Sequence, residues 1–184
     1  DFIDNFKDYS VLMFDYRGYG NSTGIPSEMG IYTDIMSVWN YCIGQLNYNP
    51  SDIILYGESL GCSAVLWLGK SLKNLDELPS GIILQSGFYN LNEIISDVAS
   101  KYLNYIIKSK FDNIKCITKI NEKIPIMIIH SANDEMINIK HAYKLMEDGK
   151  INSDNLLVIE GDHNKPIISE EIWEKIYKFI DLNN

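Results

Sequence analysis

The 184-residue chain lacks several features that mark common classes of protein. Its three cysteines, Cys42, Cys62 and Cys116, are widely spaced and form no C-x-x-C pair, which excludes a disulfide framework and a cysteine-ligated zinc site. Cysteines used in this way are typical of a reducing compartment, and we expect a cytoplasmic protein. The longest strongly apolar run covers residues 124–129. A membrane-spanning helix needs about 20 apolar residues, so no transmembrane segment is predicted.

Positive charge is also scarce. Sixteen basic residues stand against 25 acidic ones, the formal net charge is −9, and Arg17 is the only arginine. A broad phosphate-binding surface needs an excess of basic side chains, so nucleic acid is not expected as a partner. Hydrophobic residues make up 46% and charged residues 22%, which is typical of globular proteins. The length suits one domain over residues 1–184.

Short apolar runs alternate with helical patterns along the chain. Strands are predicted at 11–15, 53–57, 82–85, 126–130 and 156–160, and helices at 27–46, 59–72, 140–147 and 169–182. Strands this apolar, separated by helices, favour an α/β fold with a mostly parallel sheet covered on both faces. Residues 89–121 form an insertion between the third and fourth of these strands, 82–85 and 126–130. Its helical pattern over 94–107 indicates either an ordinary packing helix or a lid over a pocket.

One motif carries chemistry. Gly57-Glu58-Ser59-Leu60-Gly61 is G-x-S-x-G, and it directly follows a predicted strand and precedes a predicted helix. A serine turned sharply between strand and helix adopts strained backbone angles, and the glycines remove side chains that clash in so tight a turn. The serine oxygen is then exposed at the edge of the sheet, where helix amides face any developing oxyanion.

A serine hydroxyl is a weak nucleophile and needs a base and an orienting acid. In this fold the order along the chain is serine, acid, histidine, and His163 lies in a loop after the last strand. His130, at a strand end, is expected to be structural, and His141 is expected to be a solvated helix residue. Asp134, four residues beyond a predicted strand, is the expected acid. Glu135 is its rival, since adjacent side chains on a turn point in different directions.

A glycine-rich loop covers residues 15–24. It lacks the lysine of a P-loop and the third glycine of a dinucleotide fingerprint, so no nucleotide is expected there. Asp15 precedes the serine and is therefore out of order for the acid. We expect it to be structural and to pair with Arg17.

Four blocks in order, D-Y-R-G-Y-G-N-S-T-G, G-E-S-L-G, H-S-A-N-D-E-M-I and G-D-H-N, resemble the α/β-hydrolase superfamily. The chain is similar to the eukaryotic α/β-hydrolase-domain serine hydrolases that include acyl-protein depalmitoylases. The resemblance spans most of the chain. It implies Ser59 as nucleophile, Asp134 as acid, His163 as base and the Leu60 N–H as an oxyanion donor. It implies no metal and no other cofactor.

The chain departs from the family at two points. Ser131 stands where the family usually has glycine. The strand whose His-Gly loop supplies a second oxyanion donor in the family has no counterpart in this sequence, so we expect N-terminal strands to be missing and the chain to be truncated there. In the family's sheet that strand lies between those at 11–15 and 53–57, so a gap or a changed pairing is expected.

Three functions are consistent with these residues. The first is a serine hydrolase that cleaves a small acyl ester or thioester, or an acylated protein, through a Ser-Asp-His triad and an acyl-enzyme. The second is a weakened or inactive hydrolase-like binding protein. The third is a serine peptidase of the same fold. The oligomeric state is left open.

Overall fold

A computed structural model describes residues 3–98 and 110–183 of the chain. The strands of the described residues are β1 (Ile54–Glu58), β2 (Gly81–Gln85), β3 (Ile126–Ser131), β4 (Leu156–Gly161) and β5 (Pro166–Ile167). They form one sheet in the order β1-β2-β3-β4-β5. The first four are parallel, and β5 pairs antiparallel with β4. The carboxyl ends of β1 to β4 therefore meet at one edge of the sheet.

Six α-helices accompany these strands in the described residues. They are α1 (Glu28–Gly44), α2 (Leu60–Ser71), α3 (Leu91–Val98), α4 (Asn113–Ile117), α5 (Lys140–Asp148) and α6 (Glu170–Asn183). Of these, α1, α2, α5 and α6 follow the predicted positions closely. Helix α1 starts where the sequence predicts because the Ser27 side chain accepts a hydrogen bond from the Gly30 N–H at 3.1 Å. A serine at this position satisfies an amide that has no acceptor within the helix.

The sheet buries both of its faces, as continuous apolar strands require. Along β2, Ile82 and Leu84 face the core under α1, α2, α4 and α5, and Ile83 between them faces the core under α6. In β3, Ile128 and Ile129 alternate in the same way. The prediction of a mostly parallel sheet with helices on both faces is confirmed.

The prediction of a strand at 11–15 is wrong. This segment joins no β-ladder in the described part of the chain, and Val11, Leu12 and Met13 are 41%, 43% and 67% exposed. A groove of about 630 Å³ is lined both by this segment and by the edge strand β1. An apolar run becomes a strand only where a neighbouring strand supplies backbone hydrogen bonds, and β2 pairs with the other edge of β1. Among the described strands β1 is therefore an edge strand, with this groove beside it, where a gap or a changed pairing was expected.

The insertion at 89–121 is described only at its two ends, by α3 and α4. The helix predicted over 94–107 runs into residues 99–109, which lie outside the described residues. The returning end is tied to α1, because the Glu28 carboxylate accepts the backbone N–H groups of Lys110 and Phe111 at 2.8 and 3.1 Å.

Candidate active site

The turn between β1 and α2 is strained at Ser59. Its φ is +50° and its ψ is −113°, a combination that non-glycine residues rarely adopt. A Cβ at Gly57 would lie 2.6 Å from the Gly61 carbonyl oxygen, so the turn excludes a side chain there. At Gly61 a Cβ meets only the Tyr16 hydroxyl at 3.8 Å, so the expected clash applies to Gly57 and not to Gly61.

Contacts with β2 and α2 hold the strained turn in place. The Ser59 N–H donates to the Gln85 carbonyl at 2.9 Å, which extends the β1–β2 pairing into the turn. The buried Cys62 Sγ lies 3.1 and 3.3 Å from the Gly57 and Gln85 carbonyl oxygens, either of which can accept its single proton. Burial raises the pKa of this thiol, which keeps it protonated as a donor. The sequence drew attention to Cys62 only for the lack of disulfides. Its place three residues after Ser59, in the first turn of α2, was the signal for its contact with the turn.

Asp134 follows β3 and is buried, with 6% of its surface exposed. Its Oδ1 accepts the backbone N–H groups of Met136 and Ile137 at 3.0 and 2.7 Å. Its Oδ2 lies 2.7 Å from His163 Nδ1. The carboxylate therefore has a fixed orientation, with one oxygen held by its own loop and the other facing the imidazole.

His163 follows β4 and lies between the acid and the serine. Its ring is largely buried, and Nε2 is 3.1 Å from Ser59 Oγ. A carboxylate only accepts hydrogen bonds, so Nδ1 carries the proton and Nε2 is left as an acceptor for the serine hydroxyl. An imidazole placed in this way can take the hydroxyl proton as the oxygen attacks an electrophile. The structure thus brings together the hydroxyl, the imidazole and the carboxylate that the sequence singled out.

Leu60 is the first residue of α2, so its N–H belongs to the helix turn whose amides have no acceptor within the helix. It follows Ser59 directly, where an oxyanion donor is expected. Glu135, the rival acid, does not contact the imidazole ring. Its carboxylate instead accepts the backbone N–H of His163 at 3.0 Å.

The two other histidines are buried. His130 Nε2 bonds to the Ile137 carbonyl oxygen at 2.7 Å, which supports the structural role expected for it. The expectation of a solvated His141 is wrong, because this side chain is 1% exposed and its Nδ1 accepts the Tyr89 N–H at 3.2 Å. The packed face of α5 includes His141, whose neighbour Ala142 is buried as well. The sequence pattern assigned this residue to the wrong face.

His130→Gln is expected to reduce the loss of stability at acid pH. Burial lowers the pKa of His130, so its ring stays neutral to a lower pH in the folded protein than in the unfolded chain. The unfolded chain takes up this proton below about pH 6.5, and the free energy of unfolding then falls by up to about 1.4 kcal/mol per pH unit, until the folded pKa is reached. Glutamine can donate to the Ile137 carbonyl without titrating. Urea unfolding of both proteins from about pH 7.5 to 5 measures the difference. If the free energy of unfolding fell equally steeply with pH in both proteins, the neutral buried ring of His130 would be contradicted.

The pairing predicted for Arg17 is wrong. Its guanidinium Nε and Nη2 lie 3.0 and 2.6 Å from Oδ1 of Asp34 on α1, so the guanidinium pairs with Asp34 and not with Asp15. Asp15 instead accepts the Asn21 N–H at 2.9 Å and thereby closes the glycine-rich loop. The role of Asp15 is structural, as expected, but its partner is its own loop. The forked geometry of Arg17 and Asp34 fixes this loop against α1.

Two negative findings concern only the part of the chain that the structure describes. It contains no group of three or more histidine, cysteine, aspartate or glutamate side chains arranged to hold a metal ion. Among the same residues, no helix is both long and apolar enough to cross a membrane.

Comparison with known proteins adds a family match and a set of relatives. A sequence model of the prolyl oligopeptidase family matches residues 7–160. The chain is 36% identical to an uncharacterized protein of Acanthamoeba polyphaga mimivirus, over 97% of this chain and 65% of that protein. It is 28% identical to alpha/beta hydrolase domain-containing protein 17B of Xenopus laevis, over 93% of this chain and 56% of that protein. The chain therefore spans about 56–65% of the length of these curated relatives.

Among solved structures, the chain is similar to an alpha-beta hydrolase from Vibrio vulnificus, with a TM-score of 0.67 and 21% identity. The match covers 91% of this chain and 60% of that one. At this identity the likeness shows the fold alone. That fold is the α/β-hydrolase fold, of which the chain contains a part.

Proposed function

The chain belongs to the prolyl oligopeptidase family of α/β-hydrolases, and we propose that it is a serine hydrolase that cleaves esters or thioesters. Hydrolysis is the general activity of proteins with this fold. The proposal of a Ser59–His163–Asp134 triad is carried by one observation, the unbroken row of short contacts from Ser59 Oγ through the His163 ring to Asp134 Oδ2. A non-catalytic scaffold has no need to keep these three groups in line at a strained turn.

In the proposed reaction, His163 Nε2 takes the Ser59 proton as Oγ attacks the acyl carbon of the substrate. The oxygen of the tetrahedral intermediate accepts a hydrogen bond from the Leu60 N–H. Asp134 holds the ring and stabilises the imidazolium that forms. His163 then gives its proton to the departing alkoxide or thiolate, which leaves an ester on Ser59. Water, deprotonated by His163, releases the acid and restores the hydroxyl.

We favour esters and thioesters over amides because alkoxide and thiolate leaving groups need less protonation by His163 than an amine does. The ends of the insertion are apolar where they meet the core. Half-buried Leu91 and Ile94 of α3 pack against it, which suits an acyl chain under a lid. An acylated protein is one candidate substrate. The three thiols Cys42, Cys62 and Cys116 are free, which suits a reducing compartment such as the cytoplasm.

A peptidase of the same fold is the second candidate, because the matching family model is that of prolyl oligopeptidase. A substrate panel separates the candidates. We expect the purified protein to hydrolyse p-nitrophenyl butyrate and an S-acylated cysteine peptide, and to leave a prolyl p-nitroanilide intact. Preference for the anilide would overturn the ester proposal in favour of the peptidase. Failure on all three, with the protein folded, would favour the binding protein.

A further inference from the structure

Two loops at the carboxyl edge of the sheet carry the acid and the histidine. The acid loop comprises residues 132–139, between β3 and α5, and the histidine loop comprises residues 162–165, between β4 and β5. Strands β3 and β4 are adjacent, so the loops lie side by side. Besides the contact of Asp134 with His163, side chains link these loops and the strand ends before them at three points. The Ser131 hydroxyl of β3 donates to the Gly161 carbonyl of β4, and the Glu135 carboxylate accepts the His163 N–H. The Asn164 amide nitrogen lies 3.9 Å from Met136 Sδ.

We propose that Glu135 is a positioning residue, whose carboxylate holds the backbone of His163 so that the ring stays between Asp134 and Ser59. This inference rests on the proposed function, since it concerns the reaction of Ser59. The adjacent carboxylates of Asp134 and Glu135 then both hold His163. Asp134 is buried and faces the ring, whereas Glu135 is exposed and faces the main chain.

The need for such a tie follows from the position of His163 on a loop. The two ring contacts fix the imidazole plane, but they leave the backbone of the loop free to shift and carry the ring with it. The histidine loop is shaped internally by Asp162, whose Oδ1 accepts the N–H groups of Asn164 and Lys165 at 3.1 and 2.8 Å. Those bonds lie within the loop and set its form. The bond from Glu135 sets its position relative to the acid, at 3.0 Å.

The expected size of the effect follows from catalytic geometry. A displacement of about 1 Å at a reacting group can cost roughly 10²-fold in rate. Since Glu135 is exposed and the Asp134 contact remains without it, the loss is expected to be smaller. We expect Glu135→Leu to lower kcat for p-nitrophenyl butyrate about tenfold, with KM changed less than about twofold. The loss is expected on kcat because Glu135 bonds to the backbone of the base, His163.

Two further variants separate a hydrogen bond from a charge. Glu135→Gln keeps the length and the acceptor oxygen, and we expect a kcat within about threefold of the wild-type value. Glu135→Asp keeps the charge but is one methylene too short to reach the His163 N–H, and we expect it to behave like Glu135→Leu. Glu174→Leu is the matched control, because it makes the same change at an exposed glutamate on α6.

A merely structural role predicts a different result. It lowers the melting temperature while the folded fraction keeps the wild-type kcat. Wild-type kcat in both Glu135→Leu and Glu135→Asp would overturn the inference, as would a loss in Glu135→Gln as large as that in Glu135→Leu. Failure of the proposed function is recognised separately, since Ser59→Ala then hydrolyses the ester as fast as the wild type, whatever the Glu135 variants do.

Discussion

Ser59→Ala is expected to lower kcat for p-nitrophenyl butyrate by roughly 10⁴- to 10⁶-fold. The substitution removes the oxygen that attacks the acyl carbon and the proton that His163 receives. It leaves the imidazole and its carboxylate in place, so any residual rate reports binding and oxyanion stabilisation alone. Steady-state kinetics on the purified variant measure the loss.

The fold is expected to tolerate this change. Alanine and serine carry the same Cβ, so the strain at a φ of +50° is the same for both. Ser63→Ala is the matched control. Ser63 lies on α2, four residues after Ser59, and no hydrogen-bond partner for its buried hydroxyl is present in the described part of the chain. We expect this control to keep wild-type activity. A Ser59→Ala protein that is folded and retains more than about a tenth of wild-type kcat would contradict the role of Ser59.

Asp134→Asn is expected to lower kcat by about 10⁴-fold while the protein stays folded. The asparagine carbonyl oxygen can still accept the N–H groups of Met136 and Ile137, which hold the acid loop. Its NH₂ group then faces His163 Nδ1 and donates to it. The ring must carry its proton on Nε2 instead, and it can no longer accept the proton of Ser59.

The expected loss comes from the changed tautomer of His163 and not from the loss of one negative charge. The same substitution at another aspartate is therefore a direct control. Asp154→Asn makes the same change at an exposed aspartate before β4 and is expected to leave kcat unchanged. Unfolding in urea checks that both variants keep their stability. An Asp134→Asn enzyme within about tenfold of the wild type would show that the carboxylate does not orient the imidazole.

Much of the fold could be predicted because it is written in local patterns. Strands β1 to β4 and helices α1, α2, α5 and α6 all lie within two residues of their expected ends. The spacing of apolar residues and the turn residues between them define these elements. The segment at 11–15 has the same local pattern but no partner strand, and pairing is a property of the neighbour and not of the run itself.

The candidate site also has a part that local patterns predict and a part that they do not. Ser59, Asp134 and His163 could be predicted because each follows a strand whose carboxyl end lies at one edge of a parallel sheet. The contact of Glu135 with the His163 N–H joins two loops 28 residues apart, and no local pattern encodes it. The partner of Arg17 was missed for the same reason, because Asp34 lies on a different element.

The most direct test of the account is the reaction of the protein with a biotinylated fluorophosphonate, followed by tandem mass spectrometry of the modified peptide. This probe reacts with serine hydroxyls that an adjacent base activates. We predict a single phosphonylated residue, Ser59, with labelling absent from Ser59→Ala and strongly slowed in Asp134→Asn. Wild-type protein that is folded and hydrolyses the ester, but is left unlabelled at Ser59 or labelled at another residue, would contradict the account.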